Sequence, residues 1–421
     1  MNEALLSPIR AAWTALRGTL YFLPPFPSRI DTLALLSLLL VVGLLVAEWL
    51  RGRWGWPRVL GYVVAGTVFG PPLLGWIDAD ILAQLRPIAD AAHGLLLLEA
   101  GRRLDLRWLT RNRDLLRGSV GDIALSFLAI YWFAYLVVGL SPAWAAATAA
   151  VTMASAPAVV LLIIEESRAQ GQVTERVMMY SSLASAASFV AFVAALGFAH
   201  THVTWMSALA HSLWAGVGAC LIGWLTSRLT LLIAGQLPKR SLAQVFMLVA
   251  MALLAIGVAR MLGVPVFLAL FLMGVLLSFG DKNRALSYTS LPEGHGMLAI
   301  ILFVVVGASL PWRDITWLMA AQALGLLLVR AAAKLLAMTL SGGALSIGKR
   351  LLVGIGIQPL SATAVFMAFE ISRYYPEIGN SALQLAFFAA AIMDFAGPVL
   401  CRLALNRAGE TVAGNESGGA A

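Results

Sequence analysis

Charge and cysteine are both scarce in this chain. Only 12% of the 421 residues are charged, and the two cysteines, Cys220 and Cys401, lie inside apolar runs. That leaves no disulfide framework and no CxxC metal motif. His200 and His202 stand in a short segment without neighbouring cysteines or carboxylates, which argues against a metal site. No HExxH, nucleophile elbow or pair of catalytic carboxylates occurs, so nothing points to an enzyme and no cofactor is expected. The net charge of +8 could suit nucleic acid, but the basic residues sit in short segments between apolar runs rather than on one polar domain. Nucleic acid is therefore excluded as a partner.

What stands in place of charge is apolar length. Sixty per cent of the residues are hydrophobic, in runs that recur from residue 31 to residue 405. A helix rises about 1.5 Å per residue, so about twenty apolar residues cross a hydrocarbon layer of about 30 Å. The runs are too long for the strands of a membrane barrel. The expected fold is all-α and polytopic, embedded in a lipid bilayer. About thirteen spans are expected, near 31–50, 57–74, 87–104, 118–139, 142–164, 173–198, 207–234, 241–261, 263–279, 293–310, 316–341, 347–371 and 380–405. Residues 1–29, interrupted by Arg10 and Arg17 and ending in Pro24, Pro25 and Pro27, read as an interfacial segment before a membrane domain of 30–406. Residues 407–421 are small and polar, the composition of a disordered tail.

The loop charges orient the chain, because Lys and Arg are retained on the cytoplasmic side. One side receives Arg51, Arg53, Arg58, the arginines between 102 and 117, Lys239, Arg240, Lys349, Arg350, Arg402 and Arg407; the other receives far fewer, among them Arg86, Arg260 and Arg373. The expected topology is a multi-pass protein of the inner (plasma) membrane with its N-terminus outside and its C-terminus in the cytoplasm.

Several spans carry polar groups that hydrocarbon would not tolerate without purpose. Span 5 holds Thr152, Ser155 and Pro157 near its middle, and span 12 holds Gly354, Gly356, Gln358, Pro359, Ser361 and Thr363. A mid-span proline removes a backbone donor and frees a carbonyl, which must then be satisfied by protein or by a water-filled cavity. Either break alone reads as an ordinary kink; as a matched pair in two halves of a chain they predict a site of half-helix ends at the bilayer midplane. Span 11 carries Arg330 and Lys334, four residues apart on one face, and a cation at mid-helix costs about 2.5–3.5 kcal/mol on insertion scales unless it faces protein or water. Span 6, TERVMMYSSLASAASFVAF, has Ser181, Ser182, Ser185 and Ser188 but no carboxylate beyond its first turn. Ser181, Ser185 and Ser188 share a face, where small residues suit close helix packing better than a hydroxyl-lined path. The acidic residues within or at the edge of spans are Glu99, Asp122 and Asp394. Gly66 and Gly70 form a GxxxG suited to close helix contact, and possible at a dimer interface.

Five stretches, RWGWPRVLGYVVAGTVFGP, LLLLEAGRRLDLRWLTRNRDLL, TMASAPAVVLLIIEESRAQGQVTERV, ILFVVVGASL and GIGIQPLSATAVFMAFE, occur in this order. Together they resemble the bacterial monovalent cation:proton antiporters of the sodium/hydrogen exchanger family. The resemblance implies two inverted six-helix repeats, spans 1–6 and 8–13, joined by a linker span. It also implies a moving core (about 118–198 and 316–405), a scaffold (about 31–104 and 241–310) that forms a homodimer, and alternating access. Members of this kind usually carry Asp-Asp, Asn-Asp or at least an Asn about seven residues after TERV, where this chain has Ala184 and Ser185. Lys334 matches the family's basic residue, which neutralises half-helix ends and can pair with the absent aspartate. Glu99, Asp122 and Asp394 match acidic positions that tie helices together, and Asp394, in the repeat counterpart of span 6, is the first candidate to replace the lost proton carrier. The expected function is a secondary transporter exchanging protons for Na+ or K+, or for another small solute, with atypical coupling. A non-transporting relative acting as sensor or scaffold is the alternative.

Overall fold

The computed structural model describes residues 3–20, 31–71, 73–104, 106–199, 205–238, 242–281, 294–310, 316–342, 345–360, 364–365, 367 and 380–411. Among these the chain is helical, with no strand. A first helix, α1 (Glu3–Thr19), precedes the apolar runs. The first long helix, α2 (Thr32–Trp54), starts where the Asp31 carboxylate accepts the Leu33 N–H at 2.9 Å, and stops where Gly55 takes φ 65° and returns its N–H to Arg51. Next come α3 (Arg58–Phe69), α4 (Ala79–Arg102), a short α5 (Leu106–Arg111) and α6 (Arg113–Phe133), which runs on into a π turn, Ala134–Val138. The expected span 57–74 is shortened at its far end, because Gly70 is extended and Pro71 has no N–H to continue the ladder.

Span 5 is two helices, α7 (Pro142–Met153) and α8 (Pro157–Ser167), followed by α9 (Gln172–Ala199) and α10 (Trp205–Ala234). Then come α11 (Leu242–Met261), α12 (Val266–Gly280), α13 (Gly294–Ala308), α14 (Trp317–Leu340), α15 (Ile347–Gly356) and α16 (Asn380–Arg407). Among the described residues nine segments are long and apolar enough to cross a membrane, and α3, α12 and most of α13 are shorter apolar helices. Leu213, Leu221, Leu225 and Leu232 of α10 are exposed, as expected of a surface whose solvent is lipid.

The helices pack in two groups. α2, α3, α4, α11, α12 and α13 lie against one another, as do α6, α7, α9, α14, α15 and α16, and α10 touches helices of both. Glycines set the closest crossings: a Cβ on Gly66 would lie 2.1 Å from the Val304 carbonyl oxygen, one on Gly307 would lie 2.3 Å from that of Val63, and one on Gly274 would lie 2.1 Å from that of Leu98. Where lipid tails are as apolar as leucine, such backbone contact is what holds helices together. The Gly66/Gly70 pair is therefore used within one chain, against Val304 and Ala308 of α13, and not between two copies.

The tail departs from expectation at its start. Residues 408–411 dock onto the α8–α9 turn: the Glu410 carboxylate accepts the N–H groups of Val173 (2.9 Å) and Thr174 (2.7 Å) and the Thr174 hydroxyl (2.8 Å), while Gln170 N–H donates to the Glu410 carbonyl at 2.8 Å. A carboxylate at a helix N-terminus meets unpaired N–H groups and the positive end of the dipole. Small polar composition predicts disorder, but one acid at the right distance meets a helix start. Glu410→Ala is expected to cost about 1–2 kcal/mol, measured as a lower unfolding temperature in detergent, with Glu410→Asp recovering part of it.

Candidate functional site at two crossing helix breaks

Both expected breaks are present in the backbone. α7 ends at Met153, Ala154 (φ −52°, ψ 151°) and Ala156 (φ −98°, ψ 89°) are non-helical, and Pro157 opens α8 at a position where a missing N–H costs nothing. In span 12, α15 ends at Gly356 and residues 357–360 are non-helical. The two segments meet: Ala156 N–H donates to the Pro359 carbonyl at 2.9 Å, and the Ser155 hydroxyl donates to the Ile357 carbonyl at 2.8 Å. Gln358 turns its amide back onto the Gly354 carbonyl at 3.0 Å. Above the crossing, α16 approaches until a Cβ on Gly397 would lie 2.8 Å from Pro359 Cα. Ser361 and Thr363 lie outside the described residues.

Two cations from α14 enter this crossing, and they do different things. Arg330, fully buried, donates from Nε to the Thr152 carbonyl (2.8 Å), from one terminal nitrogen to the Ala154 carbonyl (2.6 Å), and from the other to the carbonyl (2.8 Å) and Oε1 (2.9 Å) of Gln358. It thus closes the carbonyls left by α7 and by α15 with one planar fork, a geometry an ammonium cannot match. Each C-terminal helix end carries roughly −0.5 charge, so the two together offset one guanidinium.

Lys334, one turn further on, donates to both oxygens of Asp122 on α6 (3.1 and 3.0 Å) and to the Ser155 hydroxyl (3.1 Å). Ser126 donates to Asp122 as well, at 3.3 Å. Lys334 and Asp122 are 0% and 1% exposed in their side chains. An ion pair so buried survives only if geometry and hydrogen bonds repay its desolvation. The sequence-based choice of Asp394 as the acid for Lys334 is corrected here, since Asp122 is the carboxylate that reaches it. Asp394 is buried on α16, one turn before Gly397. Glu99 is not brought to the crossing either; at the end of α4 it pairs with Arg102 (3.1 Å) and Arg103 (3.3 Å).

Span 6 supplies hydroxyls with nothing to bind. Ser188 donates to the Ala150 carbonyl at 2.6 Å, which fixes the face of α9 turned to α7. Because a tight turn joins α8 to α9, the two run antiparallel. Stepping back along α9 at 1.5 Å per residue then brings Ser185 and Ser181 level with the end of α7 and the start of α8. Ser181, Ser182 and Ser185 are all fully buried without a hydrogen-bond partner, as is the hydroxyl of Thr148 on α7. Other buried hydroxyls here, those of Ser119, Thr152, Thr226 and Thr230, bond the carbonyl one turn back. A buried hydroxyl left alone costs about 1–3 kcal/mol. Ala184, beside them, is buried and apolar.

The sequence undervalued Arg330, which makes more contacts to the breaks than Lys334. The signal was present: of two cations one turn apart facing a pair of broken helices, the forked one suits several carbonyls at once.

Comparison with known proteins follows the same lines. The family model described as sodium/hydrogen exchanger, transmembrane, matches residues 36–403. The Na(+)/H(+)-K(+) antiporter GerN of Bacillus cereus is 39% identical over 90 residues, which is 21% of this chain and 22% of GerN, so that alignment spans about a fifth of the relative. Two structures of the sodium proton antiporter MjNhaP1 from Methanocaldococcus jannaschii share the fold. One, at pH 8, has a TM-score of 0.66 at 19% identity, covering 89% of this chain and 95% of that one. The other, by electron microscopy, has a TM-score of 0.67 at 19% identity, covering 90% and 96%.

Proposed function

The chain belongs to the sodium/hydrogen exchanger family, and from that premise we propose that it exchanges a monovalent cation, Na+ or K+, for protons at the crossing of its two broken helices. The observation that carries this reading is the group of buried, unpartnered hydroxyls on facing α9 and α7, of which Ser181 and Ser185 come level with a crossing that already holds an ion pair. Hydroxyl oxygens suit a hard monovalent cation stripped of water.

Charge counting gives the coupling. Arg330 is balanced by the two helix ends and Lys334 by Asp122, so the resting site is neutral. A cation arriving between the hydroxyls and Asp122 competes with Lys334 for the carboxylate, and neutrality returns when the Lys334 ammonium releases one proton to water on the open side. On the other face the order reverses. One cation moves for one proton with no net charge, and the carboxylate absent at Ala184 and Ser185 is not needed. The scaffold alternative is not favoured, because the family model that matches residues 36–403 is that of an exchanger.

The basic loops support a cytoplasmic C-terminus in the inner membrane, and the family likeness supports a homodimer built on the α2–α4 and α11–α13 group. The experiment for the site itself is the pair Ser181→Ala and Ser185→Ala in liposomes. Unfolding temperature should hold or rise slightly, since an orphaned polar group is removed, while KM for the cation rises about tenfold. An unchanged KM for both cations would show that the hydroxyls only pack.

A further inference from the structure

The last turn of α8 carries two adjacent carboxylates that reach across to the other helix group. Glu165 meets Arg103, just past α4, at 2.5 Å. Glu166 accepts the backbone N–H of Arg58, the first residue of α3, at 3.0 Å, and lies 3.6 Å from Arg51 of α2. The N-cap of α3 is Pro57, which offers no side-chain cap, so a carboxylate from α8 serves that helix end instead. On its own side Glu166 also holds Arg402 of α16, at 3.5 Å.

We propose that Glu165 and Glu166 form an ionic latch that ties the α6–α9 and α14–α16 group to α2–α4 at the basic face of the membrane, and that it opens in every transport cycle. This rests on the reading above that the broken helices belong to a unit that moves. The arrangement is one built to part rather than a fixed staple, because most of its groups keep a partner within their own body. When Glu165 leaves, Arg103 still has Glu99; when Glu166 leaves, it still has Arg402 and gives up the backbone N–H of Arg58, whose side chain stays paired with Glu48 at 2.5 Å. Arg51, 39% exposed in its side chain, is wet enough to be hydrated on release, as is Glu165, 28% exposed. A permanent clamp would gain nothing from this duplication. The latch closes the basic face in the state seen here, and its strength sets how often that face opens.

The test uses full-length protein carrying Cys220→Ser and Cys401→Ala with a reporter, Ser181→Cys, about a third of the way along α9 from the basic face. In the double variant Glu165→Gln/Glu166→Gln, labelling of the reporter by a membrane-impermeant thiol reagent applied to that face should accelerate about fivefold or more, as a closed state loses population. Arg51→Gln, an exposed change that does not endanger folding, should give a smaller acceleration in the same direction. Unchanged labelling in Arg51→Gln and in a monodisperse double variant overturns the latch. So does undiminished cation exchange when Arg58→Cys and Glu166→Cys, introduced without Ser181→Cys, are joined by a short bifunctional thiol cross-linker. Faster labelling, together with no cation movement by the protein that keeps Ser181, would keep the latch and reject antiport.

Discussion

Arg330→Met should leave little folded protein. The substitution strips the donors from the carbonyls of Thr152, Ala154 and Gln358, all in a buried crossing. Removing one partner of a buried charged network costs on the order of 3–5 kcal/mol, comparable with the whole stability of many domains. Arg330→Lys should rescue little, because one ammonium cannot span the ends of α7 and α15 as a planar fork does. The check is thermal unfolding followed by size-exclusion chromatography in detergent. Both variants are expected far below the parent, with Arg330→Lys nearer to Arg330→Met than to wild type. A stable, monodisperse Arg330→Met would mean that the breaks are held by something else.

The Lys334–Asp122 pair should behave differently, and the difference separates coupling from support. Lys334→Met leaves a buried carboxylate and Asp122→Leu leaves a buried ammonium, so each alone should lose on the order of 3–5 kcal/mol. The double variant removes both charges and replaces them with apolar groups, which is often neutral or even stabilising. Its unfolding temperature should therefore return close to that of the parent, with a coupling energy of about 2 kcal/mol or more in the double-mutant cycle. Exchange should not return. A double variant that both folds and couples protons to cations would make this pair a structural tie alone. Asp394→Asn is the control: lacking contact with Lys334, it should not restore folding when combined with Lys334→Met.

How much of this could be read from the chain alone depends on how local the chemistry is. The breaks were legible because Pro157 and Pro359 forfeit backbone donors wherever they stand, and glycines at 354 and 356 mark the same place. The membrane class was legible because twenty apolar residues have few other uses. Which acid meets Lys334 was not, since Asp122 is 212 residues away and Asp394 nearer in sequence, and no periodicity ranks one over the other. The GxxxG of α3 showed that a close contact exists but not with whom; the partner proved to be α13 of the same chain. Glu410 was hidden by its surroundings, because a tail of small polar residues gives no sign that one carboxylate will cap a helix begun more than two hundred residues earlier. The serines of α9 were visible as a stripe, but only the packing of α9 against α7 separates Ser188, which has a partner, from Ser181, Ser182 and Ser185, which have none.

The most direct measurement is proton movement in sealed liposomes containing the purified wild-type protein, with a Na+ or K+ gradient as the sole driving force. The account predicts that at least one of the two cations drives protons the opposite way, one for one and without current across the membrane. Folded protein that moves no protons under either gradient would contradict it.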